Sequence, residues 1–150
     1  MELKPLNLGL MAKSYEENLE ISSDEALKMA KLTKGYAFAF QVMGYFTWKN
    51  GGDYLKVLPN IKAYLEDYVY DKIWSEVSTK DKLFLYGMAK SQDNRASQIK
   101  EITKMSSGKY STYRDRLIKK GIIISKEHGC VSFTLPFFEE YIIMHYDETV

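Results

Sequence analysis

Eight lysines and arginines stand between residues 95 and 121 against two acids, Glu101 and Asp115, a local net +6 in a chain whose net charge is only +1. Such side chains, mixed with hydroxyls, suit a polyanion: cations hold a phosphate backbone, and hydrogen-bonding groups read base edges in a groove. The candidate contacts for duplex DNA are Lys109, Ser111, Thr112, Arg116, Lys119, Lys126 and His128. At helical spacing, Ser111, Thr112, Asp115 and Lys119 share one side, with Arg116 on its flank and Lys109 by the helix start. Lys126 and His128 fall on a later turn. Tyr110, Tyr113 and Leu117 take the opposite side and are expected to pack inward. Asp115 is unwelcome to phosphate, and its expected partner is Lys119 at i+4. Arg114 lies nearer the buried side, where its stem can cover apolar surface.

Other chemistry is poorly served. His128 and Cys130 are close in sequence, but a metal site usually needs three or four ligands, and the chain has no CxxC. Glu16-Glu17, Glu66-Asp67 and Glu139-Glu140 are adjacent pairs, and neighbours on a helix do not face each other as a carboxylate dyad must. There is no Gly-x-Ser-x-Gly elbow. The stretch 9–14 lacks the second glycine of a phosphate-binding loop, so phosphates have no cradle of backbone N–H groups. The chain alone is therefore expected to be no enzyme, with no catalytic residue, metal site or cofactor of its own.

The cations require elements to carry them. Ser97 can cap a short helix bearing Ile99 and Ile102. Residues 105–108 form a turn containing Gly108, and 109–120 reads as a second helix ended by Gly121. Ile122-Ile123-Ile124 is a short β-branched run, 126–129 a turn, and 131–135 alternates like a half-buried strand. That order is the winged helix-turn-helix pattern, a scaffold for nucleic acid. Ser78 with Asp81 caps the helix ahead of it, and Pro136 can open a last helix through Tyr141 and Ile142.

Residues 1–77 read as all-helical. Ser22 and Glu25 make a capping box, and Lys34-Gly35 stops the helix that follows. The stretch 36–48 is nearly apolar, through Phe38, Phe40, Val42, Met43, Tyr45, Phe46 and Trp48. A helix apolar on most faces belongs at the centre of a bundle. After the loop 49–53, Pro59 is expected to start or kink a helix running to about Val77. The fold class is thus mainly α with a small β-wing: a helical bundle over 1–77, then a winged helix-turn-helix over 78–150.

Thr33-Lys34-Gly35-Tyr36-Ala37-Phe38, followed by Gln41, Gly44-Tyr45 and Trp48, resembles the lid of prokaryotic AAA-type ATPases related to archaeal replication initiators. In that family a Thr-x-Gly-Tyr-Pro-Phe stretch opens the lid helix and a winged helix follows. Leu3-Lys4-Pro5-Leu6 resembles the segment leaving the nucleotide-binding core. The chain departs from the pattern at Ala37, where the family has proline, and has no arginine before Arg95 to sense a nucleotide. The resemblance implies the C-terminal, non-catalytic part of an ATP-binding protein. The missing nucleotide-binding core is then a partner, and ATP and magnesium belong to the parent. The competing reading is a winged helix used for protein–protein or intramolecular docking.

Composition sets the remaining bounds. With 45% apolar residues and twelve tyrosines, the chain has ample material for a core. No apolar run approaches the roughly 18–20 residues that cross a membrane. Nor does the N-terminus have the basic-then-apolar pattern of a signal peptide. A single cysteine, Cys130, forms no internal disulfide and fits a reducing cytoplasm.

Overall fold

Helix-capping residues, more than composition, lay out the architecture. In a computed structural model, which describes residues 6–125 and 127–146, the chain is mainly helical with one two-stranded antiparallel sheet. It divides into two compact units between Val69 and Tyr70.

The first unit is a set of four helices. Asn7 caps α1 (Leu8–Leu19) by accepting from the Leu10 N–H, and Ser22 caps α2 (Ser23–Leu32) by accepting from Glu25. Lys34 and Gly35 both take positive φ and turn the chain into α3 (Ala37–Lys49). Thr33, fully buried, donates its hydroxyl to the Ala30 carbonyl and accepts from the Gly35 N–H. Asp53 caps α4 (Tyr54–Leu65). That cap starts the helix, so Pro59 sits inside α4 and does not open it. The long helix expected to reach Val77 is interrupted by a π-helical turn, Glu66–Tyr70.

The core of this unit joins Met11 and Tyr15 to Ala26, Met29, Ala30, Val42, Met43, Ile61 and Leu65. α1 packs on α2 and α3, and α3 on α4. The expectation that α3 lies buried on most faces needs correction. Ala39, Val42, Met43 and Thr47 are buried, whereas Phe38, Tyr45 and Trp48 are exposed. Two neighbouring helices cover only part of a helical circumference, so the aromatics outside that arc stack on one another and on Tyr64.

The second unit opens at Tyr70. Its hydroxyl donates to the Pro136 carbonyl, and its ring packs on Phe138 and Tyr141. These contacts hold the short helix α5 (Asp71–Glu76) to α9 (Phe138–His145), where Tyr141 donates to Asp71. They also place the division one short helix before Ser78, where the sequence pattern put it. Ser78 caps α6 (Thr79–Lys90) through the Asp81 N–H. Then come α7 (Ala96–Thr103), α8 (Ser107–Lys119), β1 (Ile123–Ile124) and β2 (Ser132–Phe133).

Several boundaries differ from the sequence reading. α7 follows Arg95, with Ser97 already in its first turn. Ser106 caps α8 by accepting from Lys109, so Gly108 is helical and the connection from α7 shortens to Lys104, Met105 and Ser106. α9 starts after Phe137, at φ 62°, rather than at Pro136.

Close packing ties α6 to α7. A Cβ at Gly87 would stand 2.5 Å from Thr103 Cγ2, so only glycine permits that approach. Ile123 pairs with Phe133 and Ile124 with Ser132. The chain entering α7 adds a third line of pairing. Arg95 bridges Cys130, the Ala96 N–H donates to Gly129 O (2.8 Å), and the Val131 N–H donates to Asn94 O (3.1 Å). Phe84, Leu85, Met88, Ile99, Tyr110, Leu117, Ile123, Val131, Phe138 and Ile142 fill the core.

Candidate nucleic-acid interface

α8 is held by its apolar side. Leu117 is fully buried and Tyr110 nearly so, as their spacing requires. Burial pushes the Tyr110 phenol above its ordinary range, with the Arg114 charge opposing. Tyr113 is only half-buried, because its ring lies against the Arg116 guanidinium, 4.9 Å from the centroid.

The opposite side of α8 is open. Lys109 is exposed in the first turn, Thr112 is exposed with its hydroxyl on the Gly108 carbonyl, and Lys119 is exposed in the last turn. Ser111 is half-buried. His128 is exposed in the β1–β2 connection, away from α8 in sequence, and Lys126 lies outside the described residues.

Arg116 departs from expectation. Its guanidinium turns to α6, where Nη2 and Nε donate to Asp81 Oδ1 at 2.7 and 3.1 Å. Nη2 also lies 3.4 Å from Ser78 Oγ. The hydrogen bond to Asp81 raises the guanidinium's affinity for its proton further. Lys120 Nζ stands 3.6 Å from Asp81 Oδ2. Asp81 is fully buried, so its carboxylate draws the nearest cations. Asp115 likewise pairs with Arg114 at 2.9 Å, not with Lys119. The Arg114 guanidinium gives two donors, Nε and Nη2, to Asp115 Oδ1 at 3.0 and 2.9 Å.

Four of the window's eight cations therefore stand beside a carboxylate. Arg95 stands 3.9 Å from Asp93, Arg114 meets Asp115, and Arg116 and Lys120 share Asp81. Lys100, Lys104, Lys109 and Lys119 have no carboxylate partner among the described residues. Lys100 donates to Ser107 Oγ at 3.2 Å and lies over the Tyr110 ring, which links α7 to the start of α8. Sequence spacing on α8 alone missed Lys100 and Lys104. The signal available was the place of Lys100 on the helix leading into the turn and of Lys104 in the turn itself.

Among the described residues, no group of three or more His, Cys, Asp or Glu side chains could hold a metal ion, and Cys130 is a half-buried free thiol. No helix there is long and apolar enough to cross a membrane. Two open depressions lie on the first unit. One of about 670 Å³ is lined by residues including Glu20, Ser22, Glu25 and Asp53; the other, of about 390 Å³, by Asn18, Gln41, Tyr45 and Trp48 among others.

The family model described as a domain of unknown function (DUF8462) matches residues 67–142, half of the chain. The chain belongs to this family, and the matched stretch coincides closely with the second unit. No curated protein and no solved structure matches the chain.

Proposed function

We propose that the second unit is a winged helix-turn-helix that docks on duplex DNA. α7 and α8 form the helix-turn-helix, and the β1–β2 hairpin forms the wing. Support comes from the three-residue connection between the helices, the hairpin directly after α8, and the added pairing of Arg95 with Cys130. The observation that carries the reading is the set of four lysines left without carboxylate partners among the described residues: Lys100 on α7, Lys104 in the turn, and Lys109 and Lys119 on α8. Thr112 and Ser111 lie between them on α8, where groove-facing hydroxyls belong.

Binding of this kind is dominated by phosphate and tolerant of sequence. Four contacts give log affinity a slope of about −3.6 against log salt. The test is fluorescence anisotropy on a labelled duplex over a salt series. Lys109→Ala and Lys104→Ala are each expected to make the slope shallower by about 0.9. No binding at low salt, or slopes indifferent to both changes, excludes this reading.

One observation favours docking on protein as a second role, carried by the other unit. Tyr45, Trp48, Leu10, Leu55 and Tyr68 are all more than half exposed on the first unit. Of these, Tyr45 and Trp48 lie together, and large apolar side chains left exposed side by side suit a contact surface. It suits a lid that closes on a nucleotide-binding core carried elsewhere, with ATP and magnesium held by that core. On this reading the chain by itself takes up no ATP, and calorimetry showing micromolar affinity would refute it.

A further inference from the structure

Asp81 has no exposed surface, yet the two cations that meet it are open to solvent. The Arg116 and Lys120 side chains are 42% and 40% exposed. The guanidinium is held on three sides: Asp81 Oδ1 on its edge, Ser78 Oγ beside Nη2, and the Tyr113 ring on its face. Asp81 Oδ2 makes no hydrogen bond and has Lys120 Nζ 3.6 Å away.

We propose that Asp81 is a built-in competitor for phosphate: it withdraws Arg116 and Lys120 from nucleic acid and makes them positioning residues that fix α8 to the start of α6. The inference rests on the DNA-docking reading of the second unit and sharpens it. Two of the Arg116 nitrogens, Nε and Nη2, are already on one carboxylate oxygen. A phosphate approaching either cation would find it already beside the Asp81 charge. Cations that release no counterions on binding do not contribute to the salt dependence. The contact set is therefore Lys100, Lys104, Lys109 and Lys119, four of the window's eight cations.

The discriminating measurement is the salt dependence of anisotropy on a short labelled duplex, made with the full chain and with four variants. Lys109→Ala reports a contact and is expected to lose about 0.9 from the slope. Lys120→Ala is expected to leave the slope unchanged. The pair Asp81→Asn/Arg116→Met removes one of the two cations and frees only Lys120, so it is expected to steepen the slope by no more than about 0.9. Asp81→Asn alone releases both cations and is expected to steepen the slope by about 0.9–1.8, with tighter binding at low salt. If Asp81→Asn fails to fold by circular dichroism, the Lys120→Ala and paired variants still decide. A wild type that binds, with Lys120→Ala or the paired variant losing slope as Lys109→Ala does, overturns this inference and leaves the DNA reading standing. A folded Asp81→Asn with the wild-type slope does the same. Absence of binding in every variant overturns the DNA reading, and this inference with it.

Discussion

The Arg116 guanidinium closes on the Asp81 carboxylate from 35 positions along the chain, Nη2 to Oδ1 at 2.7 Å, and pins the last turns of α8 to the first turn of α6. Arg116→Ala leaves a fully buried carboxylate with only Lys120, 3.6 Å away, and no side-chain hydrogen bond from Arg116. Breaking a buried pair costs about 3–5 kcal/mol, and the part-exposed guanidinium places this case at the lower end. The urea midpoint is expected to fall accordingly. The pair Asp81→Asn/Arg116→Met is expected to recover most of the loss, since neither residue is then left charged and alone. A midpoint unmoved by Arg116→Ala would show that the contact does not hold the fold.

Gly87 and Thr103 mark the closest approach of α6 and α7. Gly87→Ala puts a methyl 2.5 Å from Thr103 Cγ2. Overpacking of this kind costs about 1–3 kcal/mol. Thr103→Ser removes the opposing methyl and keeps the hydroxyl that donates to the Ile99 carbonyl. In a double-mutant cycle, Thr103→Ser is expected to cancel much of the Gly87→Ala cost. Additive losses would place the clash elsewhere.

Leu117 has no exposed surface and anchors α8 to its unit. Leu117→Ala is expected to cost about 2–5 kcal/mol, depending on how far the cavity collapses. Thermal melting checks this, and an unchanged midpoint would mean that α8 faces the other way.

Tyr15 gives the first unit an alkaline signature. Its hydroxyl donates to Phe40 O at 2.7 Å, and burial raises its pKa well above the ordinary 10.0. Below pH 10 the phenol is neutral in both folded and unfolded chains, and its contribution is intact. Above pH 10 the unfolded chain releases the proton while the folded one keeps it, so stability falls as pH rises. Tyr15→Phe loses the hydrogen bond, about 1 kcal/mol. The advantage of wild type over this variant is expected to shrink between pH 8 and pH 11 in urea titrations. A constant advantage would show that Tyr15 does not titrate differently on folding.

Local signals were legible in the chain itself. Ser22, Ser78 and Ser106 stand next to apolar-periodic runs, and two of those caps were read directly. Ser106 was absorbed into a turn because Gly108 argued against helix there, whereas a glycine in the first turn costs little once the cap is made. The hairpin followed from Ile122-Ile123-Ile124 and the alternation through Phe133, because strand patterning is a property of neighbours. Burial of Tyr110 and Leu117 followed from helical spacing in the same way.

Spacing assigns residues to faces, but not the partners that those faces meet. It grouped Arg116 with Lys119 and could not see that a buried Asp81, far away in sequence, competes for one and not the other. It found α3 apolar and could not tell that the packing of α1 and α4 leaves Tyr45 and Trp48 outside. It set the division at Ser78 because a cap is a local signal, while Tyr70 joins the second unit through Pro136, Phe138 and Tyr141 near the chain's other end. The sequence by itself determined the helices, the hairpin and the local excess of charge, all set by residues within a few positions of one another. Tertiary structure alone decided which of those charges are left for a partner, because ion pairing depends on distance in space and on exclusion of water.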